Sequence, residues 1–106
     1  MVDASSIQSE IDNNKVMVFS KSYCPYCVNA KQLLQSKGIA FKAIELDQVS
    51  NGADIQNTLQ KMSGQRTVPN IYINRQHVGG CSDLVAANDN GKLKQMCDAA
   101  GIANSC

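Results

Sequence analysis

Apolar residues near the start of the chain change their spacing once, and the change separates a helix from a strand. Ile7 and Ile11 lie four residues apart among polar neighbours, which predicts a short amphipathic helix that begins near Asp3 or Ser5. The unbroken apolar run Val16–Phe19 is typical of a strand that is buried on both faces of a sheet. The pattern therefore predicts a helix followed by a buried strand.

The same alternation continues through the middle of the chain. Residues 25–37 place their apolar side chains on one helical side, and Gly38 follows them as a residue that ends helices. Residues 41–46 predict a second strand, and residues 53–62 predict a helix that ends before Gly64. The apolar side chains within residues 25–37 are Val28, Ala30, Leu33 and Leu34. Strand, helix and strand together make a β-α-β unit.

The last third of the chain predicts two strands and two helices. Residues 68–73 form the third strand, and residues 74–76 turn into a short fourth strand around Val78. Ser82 is expected to cap the fourth helix, and a final helix ends near Gly101. The predicted order α-β-α-β-α-β-β-α-α gives an α/β fold in which helices flank both faces of a mixed four-stranded sheet.

Length and charge limit the kinds of protein that this chain can be. With 106 residues it has the length of one compact domain, so we assign residues 1–106 to a single domain. Its 10 basic and 9 acidic side chains give a formal net charge of +1. This balance provides no electrostatic reason to expect a nucleic acid or an anionic membrane as partner.

Cysteine content and the first residues indicate the compartment. The five cysteines are an odd number and lack the dense, regular spacing of a secreted disulfide scaffold. Residues 1–14 have neither the basic start nor the apolar block of a signal peptide, and no apolar run reaches transmembrane length. We therefore expect a cytoplasmic protein in a reducing environment.

The pair Cys24 and Cys27 is the strongest chemical signal in the sequence. A buried strand ends just before it and a helix starts at Pro25, so Cys24 falls at the helix N-cap. The unpaired N–H groups of the helix start, together with Lys21 just upstream, favour a thiolate at Cys24. Cys27 lies one turn down the helix, where it is better shielded. We therefore expect Cys24 to be the nucleophile and Cys27 the resolving thiol of a redox enzyme.

Zinc binding is an alternative use of the same cysteines. Cys24 and Cys27 together with His77 and Cys81 have the composition of a tetrahedral three-cysteine, one-histidine site. Against this alternative, the second pair lacks a tight knuckle and flanks a double glycine that suits close approach of a ligand. The redox interpretation is favoured, no metal is expected, and His77 is expected to be a solvated strand residue.

Three separated motifs carry a resemblance to a known family. They are Lys21–Cys27 with its Cys-Pro-Tyr-Cys core, Thr67–Pro69, and Gly79–Asp83. In order and spacing the chain closely resembles the classical dithiol glutaredoxins, and residues 64–74 look most like the fungal members. The resemblance implies a thioredoxin-like fold in which Pro69 follows a cis peptide bond.

The resemblance also implies a binding groove for glutathione. Val68 would pair its backbone groups with the cysteinyl part, as an extended peptide pairs with a strand. Lys21 and Gln56 would meet the glycine carboxylate, while Ser82 and Asp83 would take the γ-glutamyl end. The whole set implied for glutathione is Lys21, Tyr26, Gln56, Thr67, Val68, Pro69, Gly80, Cys81, Ser82 and Asp83.

The reaction expected from the resemblance is glutathione-dependent thiol–disulfide exchange. The Cys24 thiolate attacks the glutathione sulfur of a mixed disulfide, and a second glutathione releases the enzyme by a monothiol route. Protein disulfides are reduced by a dithiol route that uses Cys24 and Cys27 together. The expected partners are glutathione, glutathionylated or disulfide-containing proteins and, through the glutathione pool, glutathione reductase. A monomer is expected.

Two related functions remain as alternatives. A thioredoxin shares the Cys-x-x-Cys motif, but this chain has no Trp and carries Pro25-Tyr26 where thioredoxins have Gly-Pro. A carrier of a [2Fe-2S] cluster, held by two chains and two glutathiones through Cys24, is the other. Such carriers usually have Gly or Ser after the first cysteine, whereas Pro25 stiffens the turn.

We also expect particular locations for four residues near or outside the motifs. Asn70 stands where some glutaredoxins carry an arginine, so the groove rim should be less basic. Cys81 is either an accessory thiol or, as we expect, a small buried residue. Cys97 is expected on the apolar side of the last helix, in the hydrophobic core, and Cys106 is expected to be exposed.

Overall fold

The computed structural model describes residues 3–106, and these residues form helices and strands in the predicted order. The elements are α1 (Ala4–Asn13), β1 (Val16–Ser20), α2 (Pro25–Ser36), β2 (Lys42–Glu45), α3 (Gly52–Ser63), β3 (Asn70–Ile73), β4 (Gln76–Gly79), α4 (Cys81–Asp89) and α5 (Lys92–Ala99). No helix among these residues is long and apolar enough to cross a lipid bilayer.

The four strands form one mixed sheet in the order β2-β1-β3-β4. β1 runs parallel to β2 and antiparallel to β3, and β3 pairs with β4 in an antiparallel hairpin. Asn74 and Arg75 connect that hairpin with φ angles of 49° and 67°, the left-handed backbone that two-residue hairpin turns need. The predicted sheet and its class are confirmed.

Side chains of β1 alternate between two hydrophobic cores, one on each face of the sheet. Val16 and Val18 point into the core beneath α2, α4 and α5, whereas Met17 and Phe19 point into the core beneath α1 and α3. Every residue of β1 is buried. The prediction of a strand buried on both faces is therefore confirmed, and β1 is a rigid support for the residues that follow it.

The first helix begins where the sequence predicts. Asp3 is the N-cap of α1, and its Oδ1 accepts a hydrogen bond from the N–H of Ser6 at 2.9 Å. Ile7 and Ile11 are both buried against the core that α1 shares with α3.

The predicted apolar face of α2 is partly wrong. The buried side chains of α2 are Cys27, Ala30 and Leu34, and Val28 is exposed. Each helical residue is rotated by about 100° from the one before it, so Val28 cannot share the face that Cys27 occupies. The second cysteine of the motif, rather than Val28, begins the buried face of this helix.

Two strands are shorter than predicted. β2 spans Lys42–Glu45 instead of residues 41–46, and β3 begins at Asn70 instead of residue 68. Pro69 has no N–H to donate to a neighbouring strand, so regular pairing of β3 starts only after it. The residues before β3 are therefore left free to face the groove described below.

Two expectations at helix starts and in the last residues are also wrong. Gly80, not Ser82, is the N-cap of α4, and Ser82 is the second helical residue. Cys106 is half-buried against the core beneath α5 rather than exposed, because the final segment folds back on α2 with the N–H of Ser105 donating to the carbonyl oxygen of Lys37 at 2.6 Å. Cys97 is fully buried, as predicted.

Candidate active site

Cys24 lies at the point where the chain leaves β1 and enters α2. Its backbone is extended and Pro25 is the first helical residue, so Cys24 is the N-cap of α2, as the sequence predicts. The N–H of Cys27 donates to its Sγ at 3.4 Å, and the N–H of Val28 donates to its carbonyl oxygen at 3.1 Å. The sulfur therefore lies among the N–H groups of a helix start, where negative charge is favoured.

The two thiols of the motif differ in exposure and acidity. Cys27 is fully buried, whereas Cys24 is half-buried. Burial is the main cause that raises the pKa of the Cys27 thiol from 9.0 to about 11. The backbone N–H of Lys21, 3.5 Å from Cys27 Sγ, opposes this rise, and the hydrogen bond with Cys24 adds to it. Cys27 is therefore a protonated thiol at neutral pH, while Cys24 is the sulfur that solvent and substrates reach.

The raised pKa of Cys27 makes the stability of the reduced protein depend on alkaline pH. The folded protein holds this proton more tightly than the unfolded chain, so the contribution is complete below pH 9 and is lost as pH rises towards 11. Between about pH 8 and about pH 11, urea unfolding should show the stability of the parent falling by about 2 to 3 kcal/mol relative to Cys27→Ala. A difference that stays constant over this range would contradict the burial argument.

The residues before β3 bring a second backbone segment to Cys24. The peptide bond between Val68 and Pro69 is cis, as the resemblance implies. The Cys24 thiol donates to the carbonyl oxygen of Val68 across 3.8 Å. Pro69 is buried, and Thr67 is exposed. Val68 thus brings a backbone carbonyl group of this loop into contact with Cys24.

A groove of about 860 Å³ opens between α2, the loop before β3 and the start of α4. Tyr26 lies at its α2 side and is 67% exposed, so its side chain is accessible to a ligand. Of the residues predicted to bind glutathione, Tyr26, Thr67, Val68, Pro69, Gly80, Cys81, Ser82 and Asp83 line this groove. The structure therefore brings three separate sequence motifs to one surface.

The start of α4 presents polar groups to this groove. Oδ2 of Asp83 accepts a hydrogen bond from the N–H of Gly80 at 2.9 Å, which fixes the backbone of the double glycine. Ser82 is exposed, and Cys81 is half-buried rather than buried. Burial, and secondly the negative charge of Cys24, raise the pKa of the Cys81 thiol. Cys81 is consequently a weakly acidic thiol at the groove.

Lys21 and Gln56 do not line the groove. Lys21 is half-buried in the turn that the N–H of Cys24 closes by donating to the Lys21 carbonyl oxygen at 3.1 Å. Gln56 lies on α3, and its Nε2 donates to the carbonyl oxygen of Arg66 at 2.8 Å. The role of both side chains as ligands of a carboxylate stays a prediction, and Gln56 additionally ties α3 to the loop that leads to Val68.

The turn before Cys24 is held by a polar contact that the sequence did not predict. The N–H of Ser22 donates to Oδ1 of Asp47 at 2.9 Å, and the Ser22 hydroxyl donates to Oδ2 of the same carboxylate. The hydroxyl of Ser22 is the main cause that lowers the pKa of Asp47 from 3.8 to about 2. A signal was present in the sequence: Asp47 follows β2, and the carboxyl ends of neighbouring parallel strands meet at one edge of a sheet.

Four groove residues were also not predicted. They are Asn29, Val85, Ala86 and Asp89. Asn29 lies three residues after Tyr26 on α2, and the other three lie on the face of α4 that Ser82 begins. Extending each motif by one helical turn along its own face would have found them.

The structure separates the members of the alternative zinc site. His77 is exposed on β4, as predicted, and its ring packs against Tyr72 with centroids 5.1 Å apart on the α1 and α3 face of the sheet. Cys81 packs against the core on the opposite face. Within residues 3–106, no group of three or more His, Cys, Asp and Glu side chains is arranged to hold a metal ion. His77 is therefore not a partner of the thiols.

Asn70 is not on the groove rim, which corrects another expectation. Asn70 is only 1% exposed and is not among the residues that line the groove. Nδ2 donates to Oγ of Ser63 at 3.3 Å, and Oδ1 lies 3.0 Å from Nε2 of His77. Asn70 therefore makes hydrogen bonds inside the protein and does not affect the charge of the groove rim.

Comparison with known proteins decides the family. A family model described as Glutaredoxin matches residues 16–78, a span that contains the thiol pair and the loop of Val68. The chain belongs to the glutaredoxin family. It is accordingly a glutathione-dependent thiol–disulfide oxidoreductase with a thioredoxin-like fold, as the sequence predicts, and the thioredoxin alternative is set aside.

Relatives of this glutaredoxin extend over most of the chain. Glutaredoxin-C6 of Oryza sativa subsp. japonica is 53% identical over 91 residues, which are 85% of this chain and 81% of the relative. A glutaredoxin of Vernicia fordii is 48% identical over 98 residues, 92% of this chain and 94% of the relative. Both relatives come from plants, so the expected particular likeness to fungal members is not supported.

A solved structure of high similarity contains a ligand. It is the crystal structure of a buckwheat glutaredoxin–glutathione complex, which superimposes with a TM-score of 0.89 at 41% identity. The match covers 92% of this chain and 88% of the buckwheat chain.

Proposed function

We propose that this glutaredoxin removes glutathione from mixed disulfides with Cys24 as the nucleophile. Cys27 is the resolving thiol, which is needed only for protein disulfides. The observation that carries the proposal is the inequality of the two sulfurs. Cys24 is half-buried at a helix start beside the groove, whereas Cys27 is fully buried with a pKa of about 11. A thiolate is the attacking form in disulfide exchange, so the exposed sulfur begins the reaction.

The first step transfers glutathione to Cys24. The Cys24 thiolate attacks the glutathione sulfur of the mixed disulfide, a new S–S bond forms, and the old S–S bond breaks. The sulfur of the substrate protein leaves as a thiolate and takes a proton from water. Oxidation state is conserved, because one disulfide is exchanged for another.

The second step regenerates the enzyme. The thiolate of a second glutathione attacks the glutathione sulfur on Cys24, which releases glutathione disulfide and the Cys24 thiolate. Glutathione disulfide then returns to the reduced pool through glutathione reductase, with which this chain needs no contact. Cys27 takes no part in this monothiol route.

The groove binds glutathione along the loop of Val68. The buckwheat relative is known in complex with glutathione, and the residues predicted to bind it here line one groove. The backbone of Val68 pairs with the cysteinyl part, because its carbonyl oxygen already faces Cys24 at 3.8 Å. The first-turn N–H groups of α4 at Ser82 and Asp83 receive the γ-glutamyl carboxylate. Lys21 and Gln56 take the glycine carboxylate.

Protein disulfides follow the dithiol route. Cys24 attacks one sulfur of the substrate disulfide, and the other substrate sulfur leaves as a thiolate. Cys27, one helical turn away, then attacks the Cys24 sulfur, which closes a Cys24–Cys27 disulfide and releases the first substrate sulfur as a thiolate. Two glutathione molecules reduce this disulfide and leave as glutathione disulfide. Cys27 must lose its proton before it can attack, so this step accelerates as pH rises towards the pKa of about 11.

Cys27→Ser separates the two routes in one protein. With a glutathionylated peptide, glutathione and glutathione reductase, the variant is expected to retain activity within about threefold of the parent, because Cys27 is not needed. With a protein disulfide as substrate, its activity should fall by about tenfold or more. Cys106→Ser, the same chemical change in a half-buried thiol outside the groove, is the matched control and should alter neither activity.

The opposite pattern would refute the proposal. If Cys27→Ser lost deglutathionylation and Cys24→Ser kept it, the buried thiol would be the nucleophile. Mass spectrometry of the Cys27→Ser protein after treatment with glutathione disulfide provides an independent readout, since the adduct of one glutathione must map to Cys24.

We further propose that the protein works as a monomer in a reducing cytoplasm. Its five thiols are all free in the structure, and a protein whose nucleophile must be a thiolate needs reductants around it. Light scattering of the reduced protein should give the mass of one chain.

A further inference from the structure

In the loop that connects α3 to β3, one side chain forms hydrogen bonds on both sides of Val68. Gln65 lies on this loop, and its Nε2 donates to the carbonyl oxygen of Thr67 at 3.0 Å and to that of Pro69 at 3.0 Å. These two residues flank Val68 on either side. The carboxamide of Gln65 has two N–H donors, so both are used by the neighbours of Val68.

We propose that Gln65 is a positioning residue for glutathione binding in this enzyme. By turning the Thr67 and Pro69 carbonyls towards its own amide, Gln65 leaves Val68 as the residue of this stretch whose carbonyl faces Cys24, at 3.8 Å. A backbone edge that is already fixed loses less entropy when an extended ligand pairs with it. Gln65 thus acts through Val68 and does not itself touch the substrate.

A half-buried serine at the end of α3 holds the backbone of Gln65. Its backbone N–H donates to Oγ of Ser63 at 3.2 Å, and Nδ2 of Asn70 donates to the same oxygen at 3.3 Å. The Ser63 hydroxyl donates to the carbonyl oxygen of Leu59 on α3 at 2.9 Å. Both ends of the loop are therefore hydrogen-bonded to one oxygen atom at the end of α3, which holds Gln65 in place. The side-chain carboxamide of Gln65, with its hydrogen bonds to the Thr67 and Pro69 carbonyl oxygens, is called the clasp below.

The inference rests on the proposed role of Val68 in binding glutathione. Losing the clasp weakens the binding of the glutathione moiety but leaves the Cys24 thiol and the helix start unchanged. The expected signature is therefore a rise in KM, or a loss of adduct stability, without an equal loss in kcat.

Gln65→Glu is the sharpest substitution, because it keeps the shape and replaces the two donors by a carboxylate that repels both carbonyl oxygens. With a glutathionylated peptide, KM is expected to rise about tenfold while kcat stays within about twofold. Gln95→Glu introduces the same charge on an exposed residue of α5 away from the groove. This control should leave both constants unchanged.

An equilibrium measurement separates positioning from general damage. In the Cys27→Ser background, the equilibrium constant between free Cys24 and its glutathione adduct should shift about tenfold towards the free thiol when Gln65→Glu is added. Gln65→Ala, which removes the donors without adding charge, should shift it in the same direction. Both variants should unfold thermally within a few degrees of their background, since the loop is on the surface.

Two results would overturn the inference. One is an unchanged KM and adduct equilibrium in a folded Gln65→Glu protein. The other is a loss that appears in kcat alone or that tracks the unfolding temperature. Failure of the proposed function has a different signature, because an active Cys24→Ser protein would remove Cys24 from the reaction whatever Gln65 does.

Discussion

Cys24→Ser is expected to lower the turnover of both glutathionylated peptides and protein disulfides by about a thousandfold or more. Both proposed routes begin with a sulfur–sulfur bond to Cys24, and a serine hydroxyl neither ionises near neutral pH nor attacks disulfides. The fold should persist, because serine is a favoured helix N-cap and can accept the Cys27 N–H that Cys24 Sγ accepts now. The assay is glutathione-dependent reduction coupled to glutathione reductase.

The control for this experiment is the circular dichroism and thermal unfolding of the same variant. A Cys24→Ser protein that folds normally and lacks activity assigns the loss to chemistry rather than to α2. A folded variant that keeps more than about a tenth of parent activity would exclude Cys24 as the sole nucleophile. Cys81, the half-buried thiol that lines the groove, would then be the first candidate to replace it.

Gly52→Ala is expected to destabilise the protein by about 3 kcal/mol or more. A methyl group on Gly52 would lie 1.8 Å from the carbonyl oxygen of Leu46 and 2.8 Å from its carbonyl carbon. Both are backbone atoms at the end of β2, where the Leu46 N–H donates to the carbonyl oxygen of Ser20 at 2.7 Å. Alanine is a better helix former than glycine, so any loss of stability in Gly52→Ala comes from this contact and not from helix propensity.

The same change should also reach the active site. Relief of the contact has to displace the segment that carries Asp47, whose carboxylate holds Ser22 in the turn before Cys24. Urea unfolding measures the stability, and the remaining activity at low temperature measures the displacement. Gly91→Ala is the matched control: its φ is +83° but nothing lies within 4 Å of the added methyl, so it should cost only about 1 to 2 kcal/mol. Equal stability of Gly52→Ala and the parent would contradict the predicted contact.

Local patterns were sufficient for the order of elements and for the chemistry of the thiol pair. The continuous apolar run of β1 predicted burial on both faces, and it supplies both cores of the protein. A helix that starts at Pro25 placed Cys24 at the N-cap without any knowledge of the sheet. Such features depend on neighbours along the chain, which a sequence shows directly.

Errors arose where packing between distant segments decided the outcome. Asn70 directly follows the groove motif Thr67–Pro69 in the sequence but is buried away from the groove, because β3 lies inside the sheet and its first residue meets Ser63 and His77. Cys106 is half-buried, because the final segment returns to α2 and α5. Gly80, and not Ser82, is the N-cap of α4, since the carboxylate of Asp83 accepts the hydrogen bond of the Gly80 N–H.

The sequence by itself determined the fold class, the place of Cys24 at a helix N-cap and the kind of chemistry, because periodicity, helix capping and the Cys-x-x-Cys spacing are local properties. The tertiary structure decided which residues meet at the groove: the anchor of Ser22 on Asp47, the clasp of Gln65 on both sides of Val68, and the burial that raises the pKa of Cys27. Each of these depends on distances between segments that are far apart in the chain. Such distances follow from the packing of α2, α3 and α4 on the sheet, and no local pattern encodes them.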